Sequence, residues 1–283
     1  MNWWQAIVLG IVEGITEYLP VSSTGHLLLA QRMLGIGKSN AADAFAICIQ
    51  GGAIIAVLGI FRGRFEQACR GLLGKVGLGA RDDAGFRLVT NLAIAFLPAM
   101  VLGVLLNDVI ESRLMGLAPV VAAWLIGGLV ILAIDAWLYR GRGPKAWAGN
   151  SLDAMSWQAA LGIGLLQTIA MCPGTSRSLA TIIGGLLVGL SLVSAVEFSF
   201  LLGVITLLAA TAFKATKSGG EMLTQYNAWT MLAGGIAACL SAVIAVRWML
   251  AYLSRHRMAV FGYYRIGLAM VVAVSLYFGW LSE

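Results

Sequence analysis

Six apolar stretches, each long enough to cross a bilayer as a helix, dominate the sequence. They are residues 44–61, 88–106, 117–138, 195–213, 228–250 and 261–281. A helix needs roughly 20 predominantly apolar residues to span the hydrocarbon core, so each stretch is predicted to be a transmembrane helix. Only 11% of the 283 residues are charged, against roughly 25% in soluble proteins. The bilayer is therefore the expected solvent, and no length remains for a soluble catalytic domain.

Two further apolar regions, residues 3–34 and 157–190, are each interrupted midway by a proline beside residues with hydroxyl groups. The first interruption is Pro20-Val21-Ser22-Ser23-Thr24-Gly25-His26, and the second is Pro173-Gly174-Thr175-Ser176-Arg177-Ser178. Irregular backbone at membrane depth is tolerated only where protein or a polar cavity satisfies its hydrogen bonds. Both regions are therefore predicted to be re-entrant helical hairpins.

The two halves of the sequence have the same order of elements, a broken hairpin followed by three spans. A shift of 153 residues places Pro20 on Pro173, Ser23 on Ser176 and Phe45 on Phe198. Three crossings separate the copies, so the second must be inverted, and inverted repeats with broken helices place binding sites near the midplane. The predicted fold is an all-α polytopic membrane protein with six transmembrane helices plus two re-entrant hairpins. It forms one membrane domain, residues 1–283, with inverted repeat halves of about 1–140 and 155–283.

The formal charge of +6 is distributed as expected for membrane topology. Basic residues cluster in the loop 62–87, in the connection 140–145 and in the region 247–265, which are predicted to be cytoplasmic. The connections near Arg113 and near Lys214 and Lys217 are less basic, which places both termini outside. The positive charge thus indicates topology and not a nucleic-acid partner.

Two acidic residues, Glu13 and Glu17, lie four positions apart and so share one face of the first half-helix. Two carboxylates in a low-dielectric setting cannot both ionise without compensation, so they need a cation, a proton or an arginine. A functional pair is the preferred interpretation because intramembrane acids are costly. The alternative is a pair that lines a water-filled vestibule.

The first interruption is a candidate anion site. Ser22, Ser23 and Thr24 stand where a new helix starts, with their hydroxyls and the free backbone N–H groups directed the same way. The simpler alternative is N-capping by Ser22 or Ser23. His26 follows on the same turn and could exchange a hydrogen bond with a phosphoryl oxygen, although a lone histidine is often only a core residue.

The second interruption contains a positively charged residue, Arg177. Arg177 carries a planar fork suited to phosphate. The neighbouring hydroxyl residues predicted to bind phosphate with it are Thr175, Ser176, Ser178 and Thr181. The alternative role for Arg177 is a structural ion pair with Glu13 or Glu17, and the two roles can coexist.

Several other polar residues and glycines are assigned supporting roles. Gln50 and Glu197 interrupt apolar spans and are predicted to support the site from outside it. Arg265 follows two tyrosines and is predicted to anchor a helix at the membrane interface. Glycine pairs, including Gly51-Gly52, Gly127-Gly128 and Gly184-Gly185, are predicted to permit close helix packing.

The run 13–26 together with 173–178 closely resembles the bacterial undecaprenyl-pyrophosphate phosphatase family, also called BacA or UppP. The resemblance covers essentially the whole chain, including residues 197–202 and 264–265. It implies a multi-pass inner-membrane hydrolase that converts undecaprenyl pyrophosphate to the monophosphate. That reaction recycles the lipid carrier of peptidoglycan synthesis and lowers bacitracin sensitivity. The resemblance also implies a divalent cation, Mg²⁺ or Ca²⁺, and an active site that opens toward the periplasm.

The family's motifs assign roles to particular residues of this chain. Glu13 and Glu17 become the acidic pair and the candidate metal ligands, and Ser23 and His26 become candidates for direct chemistry. Arg177, with Ser176 and Thr181, becomes the phosphate binder. The sequence departs from the family at Leu179, where many members have glycine, and at Val204-Ile205, where Val-Pro is common. Leu179 is expected to narrow the space beside the phosphate.

Two mechanisms and two functions remain open at this point. Either Ser23, activated by His26, attacks the terminal phosphorus, or His26 helps a water molecule to do so. The rival function is a transporter, such as a flippase for the monophosphate carrier, because inverted repeats with broken helices are also a transporter design. The set of two acids, a histidine and serines favours hydrolysis, since anion translocation needs no acid and base. The expected partners are the lipid substrate and membrane lipid, and a homodimer is left open.

Overall fold

The computed structural model describes residues 1–37, 40–140 and 149–281, and nearly all of them are helical. The helices are α1 (Trp3–Thr16), α2 (Ser23–Met33), α3 (Asn40–Ile60), α4 (Arg62–Lys75), α5 (Asp83–Leu114), α6 (Leu117–Leu138), α7 (Trp157–Gln167), α8 (Arg177–Leu187), α9 (Leu192–Gln225), α10 (Ala228–Leu253) and α11 (Ala259–Tyr277). Short 3₁₀ turns lie at Leu152–Ala154 and Thr168–Met171.

Five of the described helices, α5, α6, α9, α10 and α11, contain apolar segments long enough to cross a membrane. A sixth crossing is obtained if Cys48–Ile60 and Arg62–Lys75, which are bent by 79°, are counted as one broken span. The prediction of an all-α polytopic membrane protein is therefore confirmed. The sidedness inferred from basic residues stays a prediction, and residues 141–148 of the basic connection lie outside the described residues.

The prediction that residues 62–87 form a loop is wrong for most of that segment. Residues 62–75 form α4, whose Phe65 and Ala68 pack against the main apolar core. Gly71 lies against the backbone of Gly85 and Phe86, so α4 packs closely beside the start of α5. The basic residues of this segment, which indicated a loop in the sequence, therefore lie on a helix.

Both interrupted regions are broken helices, as predicted. α1 ends at Thr16 and α2 begins at Ser23, while α7 and a 3₁₀ turn precede α8. α2 and α8 each begin directly after a serine with positive φ, 73° at Ser22 and 78° at Ser176. L-residues rarely adopt that backbone region, so its recurrence marks two similar chain reversals.

The two serines with positive φ are 154 residues apart (176 − 22), one more than the shift that aligns the prolines. In this register the first helical residue of α2, Ser23, corresponds to the first of α8, Arg177. Helix pairing also recurs: α1 packs against α10 and α7 against α5, while α3 and α9 pack against each other. The inverted repeat itself stays a prediction.

Close helix packing depends on particular glycines. A Cβ built at Gly52 would overlap the carbonyl oxygen of Gly235 in α10, and one at Gly185 would crowd Ala195 in α9. The neighbouring Gly51 has nothing within 4 Å of the same position. Only one residue of the Gly51-Gly52 pair therefore has the predicted packing role.

We expect Gly52→Ala to destabilise the protein, because the added methyl forces α3 away from α10. The expected loss is about 1–3 kcal/mol, as is usual for overpacking. The matched Gly51→Ala variant should be neutral or slightly stabilising, because alanine is the better helix former. Thermal unfolding in detergent, followed by circular dichroism, compares the two. Equal unfolding temperatures for both variants would contradict the assigned contact.

Candidate functional site

The two interrupted hairpins meet at the carboxylate of Glu17. The hydroxyl of Ser23, from the first hairpin, donates a hydrogen bond to Oε2 of Glu17. Nη2 of Arg177, from the second hairpin, donates to Oε1 of the same carboxylate at 3.0 Å. Glu17 is 7% exposed, so this three-residue cluster is enclosed by protein. The ion pair that the sequence left as one alternative for Arg177 is present.

The local fold explains why Ser23 and Arg177 face the same carboxylate. Each is the first residue of a helix that follows a serine with positive φ, so each lies beside unpaired backbone N–H groups. Ser176 is a true N-cap, because its hydroxyl accepts from the Leu179 N–H at 3.2 Å. Ser22 makes no such bond, which leaves the start of α2 without a side-chain cap.

Arg177 is held in place by more than its ion pair. Its Nη1 donates to the carbonyl oxygen of Ser199 at 3.0 Å, and its Cζ lies 5.6 Å from the ring centre of Tyr18. Gly203 leaves room for the guanidinium, since a Cβ there would overlap Nη1. The fork is therefore fixed in orientation, which suits recognition of a planar or tetrahedral oxyanion.

A cavity of about 270 Å³ opens beside this cluster. Its polar lining residues are Glu17, Ser22, Ser23, Thr24, Gln50, Gln167, Ser176, Arg177 and Thr206. Ligand pockets typically measure roughly 300–1,000 Å³, so the cavity can hold a small anionic group but not a long lipid. Sequence reasoning predicted six of its hydroxyl and charged residues to act together (Glu17, Ser22, Ser23, Thr24, Ser176 and Arg177), and the fold brings them to one cavity.

Glu13 lies one turn before Glu17 and is completely buried. Within the described part of the chain, neither of its carboxylate oxygens has a hydrogen-bond partner. Its charged and polar neighbours are Glu17, Gln50 and Arg177. Such an orphaned carboxylate beside a second one provides hard oxygen ligands for a cation.

The fit to a divalent cation can be judged from this donor set. Among the described residues, no group of three His, Cys, Asp or Glu side chains could hold a metal ion by itself. Mg²⁺ is usually held by only one or two carboxylates, with water and substrate phosphate oxygens completing its shell. Glu13 and Glu17 fit a shared site of that kind.

His26 lies apart from the cavity lining. Its Nδ1 is 2.7 Å from the carbonyl oxygen of Ser22, and its Nε2 is 2.8 Å from the hydroxyl of Tyr264. The ring also stacks on Tyr264, with centroids 5.8 Å apart. Both ring nitrogens are thus engaged, and Ser23 is hydrogen-bonded to Glu17 and not to the histidine.

The remaining hydroxyls of the second hairpin are engaged inside the protein. Ser178 is fully buried and donates to the Leu19 carbonyl at 2.9 Å, which ties the two hairpins together. Thr181 is also fully buried, with its hydroxyl 2.6 Å from that of Ser199. Thr175, Ser178 and Thr181 are not among the cavity-lining residues, so their predicted phosphate contacts stay predictions.

The structure places Glu197 and Leu179 outside the cavity lining. Glu197 pairs with Arg64 of α4 at 2.8 Å, and its supporting role at the site stays a prediction. Leu179 points into the main apolar core and does not narrow the cavity. The replacement of glycine at Leu179 is therefore accommodated by core packing. Val204 is likewise buried in that core.

Arg265 was predicted to anchor a helix at the membrane interface, and that interpretation is wrong. The side chain is fully buried and donates five hydrogen bonds to backbone carbonyls. The acceptors are Pro20 of the first hairpin, Gly174 and Thr175 of the second, and Ala123 and Trp124 of α6. Gly127 provides the space, since a Cβ there would overlap the guanidinium.

Gln167 is a second residue that sequence reasoning missed. It ends α7, is 2% exposed and lines the cavity with Arg177. The sequence feature that could have identified Gln167 is a glutamine in an otherwise apolar segment that precedes a Ser/Thr-rich interruption.

Comparisons with known proteins identify the family to which the chain is similar. The family model described as bacitracin resistance protein BacA matches residues 6–271. The chain is 44% identical to undecaprenyl-diphosphatase 2 of Rhodospirillum rubrum, over 98% of this chain and 96% of the relative. It is 42% identical to the undecaprenyl-diphosphatase of Sorangium cellulosum, over 96% and 86% of the two chains. The enzyme of the same name from Methylococcus capsulatus is 42% identical, over 98% and 96%.

We expect Arg265→Lys to destabilise the protein although it keeps the charge. An ammonium has three donors and cannot satisfy five carbonyls, so at least two hydrogen bonds to a charged group are lost. The expected cost is about 3 kcal/mol. Unfolding in mixed detergent micelles measures it, with the exposed Arg247→Lys as control. Identical unfolding curves for the two variants would show that Arg265 is not a structural clamp.

Proposed function

Because the chain belongs to the BacA family of bacitracin resistance proteins, we propose that it hydrolyses undecaprenyl diphosphate to undecaprenyl phosphate and inorganic phosphate. The observation that carries this proposal is the meeting of Ser23 and Arg177 on Glu17, beside a cavity of head-group size. A hydroxyl, a carboxylate and a guanidinium can serve as nucleophile, base and oxyanion binder in phosphoryl transfer.

The diphosphate enters the cavity and competes with Glu17 for Arg177. In the substrate-free arrangement Arg177 is neutralised by Glu17, at 3.0 Å. A phosphate group with two or more negative charges binds the guanidinium more strongly than a carboxylate does. Arg177 therefore moves one of its hydrogen bonds from Glu17 to the substrate. Glu17 is thereby released from its ion pair while it keeps the hydrogen bond from Ser23.

Release of Glu17 makes it the proton acceptor. Ser23 Oγ gives its proton to Glu17 and forms a bond to the terminal phosphorus, and the bond from that phosphorus to the bridging oxygen breaks. The bridging oxygen leaves as part of undecaprenyl phosphate. A water molecule then hydrolyses the phosphoserine. The hydroxyl group of the water bonds to the phosphorus and leaves in the released phosphate, and the other hydrogen of the water goes to Ser23 Oγ. Glu17 loses its proton to solvent. In the alternative route, Glu17 activates water and Ser23 only orients it.

His26 is not assigned to proton transfer in this scheme. The resemblance placed it in the chemistry, but Tyr264 and the Ser22 carbonyl engage its two nitrogens. We propose instead that His26 holds the start of α2 in its unusual backbone conformation, with Ser23 presented to Glu17 as the result.

A divalent cation, Mg²⁺ or Ca²⁺, would be held by Glu13 and Glu17. It would neutralise charge on the transferring phosphoryl group, which is the main electrostatic demand of this reaction. The buried and partnerless carboxylate of Glu13 supports this assignment. Gln50, which lines the cavity and neighbours Glu13, is placed to support the same carboxylate.

The isoprenoid tail requires an apolar path away from the cavity. An apolar groove of about 360 Å³ lies between α5 and α9, lined by Phe96, Ala99, Met100, Gly103, Val104, Thr206, Ala209, Ala210 and Phe213. Three of these residues, Ala99, Thr206 and Ala210, also line the cavity. We propose that the first isoprene units follow this groove into the bilayer.

The cellular setting is a further part of this proposal. We propose that the protein resides in the bacterial inner membrane with its cavity open to the periplasm. Its activity returns the carrier to peptidoglycan synthesis and lowers sensitivity to bacitracin. A homodimer is compatible with this scheme but is not required, because one chain supplies every residue assigned above.

We expect purified protein in detergent to release phosphate from undecaprenyl diphosphate, and Ser23→Ala to lose at least about 1,000-fold in turnover if Ser23 is the nucleophile. Detergent excludes transport as the readout, because transport needs a sealed bilayer. Ser254→Ala, an exposed serine outside the cavity, is the control. Turnover of Ser23→Ala near the wild-type value would eliminate the covalent route and leave the water route. Absence of phosphate release by the wild-type protein would eliminate the proposed function.

We expect Gly103→Leu to discriminate between substrates by tail length. A Cβ at Gly103 meets only the Met171 sulfur, at 4.0 Å, so leucine fits and fills the groove without disturbing the fold. The ratio of kcat/KM for undecaprenyl diphosphate to that for methyl diphosphate, which has no isoprene unit to enter the groove, should fall about tenfold. Gly267→Leu, at a glycine with nothing within 4 Å, is the matched control. An unchanged ratio would place the tail elsewhere.

A further inference from the structure

One polar residue of the cavity has no role in the proposed reaction. Gln167 is the last residue of α7, is 2% exposed and faces the cavity together with Ser176 and Arg177. Across the described residues, neither its amide nitrogen nor its amide oxygen has a hydrogen-bond partner. Buried polar groups nearly always have one, so the partner of Gln167 is to be sought in the space that it lines.

Packing does not require a polar residue at this position. The buried face of α7 also carries Ala160, Ile163 and Gly164, all apolar. A methionine or leucine would fill the same volume without an amide to satisfy. Burying the glutamine therefore costs more free energy than burying methionine or leucine would. This indicates a ligand that pairs with the amide when the cavity is occupied.

The register of the two helix breaks gives a second observation. Gln167 lies 154 residues after Glu13 (167 − 13), the same separation as between Ser22 and Ser176. Both residues are buried, both precede an interruption and both have partnerless side-chain atoms within the described chain. The first half-helices of the two hairpins thus each present one unsatisfied polar side chain, an acid on one side and an amide on the other.

We propose that Gln167 binds the diphosphate directly, with its Nε2 donating to a non-bridging phosphate oxygen beside the one held by Arg177. This inference rests on the proposed function and adds a substrate contact to it. A neutral amide is suited to this place for an electrostatic reason: a second arginine or lysine could pair with Glu17, which lines the same cavity, whereas an amide stays available to phosphate.

The test is binding of an undecaprenyl diphosphate analogue with a methylene bridge in place of the bridging oxygen, which cannot be hydrolysed. Loss of one hydrogen bond to a charged group corresponds to about a 10- to 100-fold weaker Kd, and we expect this for Gln167→Met. Gln167→Glu keeps the shape but adds a negative charge beside the phosphate, so its Kd should weaken at least as much. Gln158→Met, at an exposed glutamine of the same helix, should bind within about twofold of wild type.

The outcomes are separable. If Gln167→Met binds the analogue as tightly as wild type, the amide pairs only with water and the inference is overturned. If Gln167→Met does not fold, as judged by size-exclusion chromatography, Gln167→Leu, which fills a similar volume without an amide or a charge, decides the question by the same comparison. Phosphate release from undecaprenyl diphosphate by the same wild-type preparation tests the proposed function independently, because the analogue measurement does not need turnover.

Discussion

The buried guanidinium of Arg265 is the interaction on which the rest of the site depends. A chain that breaks two helices at membrane depth leaves backbone carbonyls that neither helix nor water can satisfy. Arg265 donates to carbonyls of both breaks, at Pro20, Gly174 and Thr175, and to two more in α6. A buried cation is costly unless all its donors are used, and here every nitrogen of the guanidinium is hydrogen-bonded. One residue of α11 thereby fixes the separation of two hairpins that are far apart in sequence.

The chemistry follows from that fixed separation. With the breaks held together, the first residues of α2 and α8 face each other, and Ser23 and Arg177 reach the same carboxylate. Ser178 strengthens the junction by donating across it to Leu19. Ser23 and Arg177, the proposed nucleophile and anion binder, are thus both hydrogen-bonded to one acid, Glu17. A diphosphate that binds Arg177 removes the ion-pair partner of Glu17. Substrate binding and activation of Ser23 are therefore linked through one ion pair.

The sequence predicted the parts of this site that depend on local pattern. Proline beside hydroxyl residues predicted both helix breaks, and the four-residue spacing of Glu13 and Glu17 predicted a shared face that needs a cation, a proton or an arginine. It did not predict contacts that depend on tertiary position. Arg265 follows two tyrosines, as interface anchors do, and only the fold reveals its five carbonyl partners. Likewise, His26 is near Ser23 in sequence, but its Nε2 is hydrogen-bonded to Tyr264, which is 238 residues away.

The central claim is that both hairpins bind one phosphate-bearing ligand in one cavity. A high-resolution structure of the protein with the methylene-bridged analogue tests it most directly. The account predicts phosphate oxygens within hydrogen-bonding distance of both Ser23 and Arg177, with the link between Arg177 and Glu17 lengthened. Phosphates bound by one hairpin alone, or outside a cavity in which that link is unchanged, would contradict it.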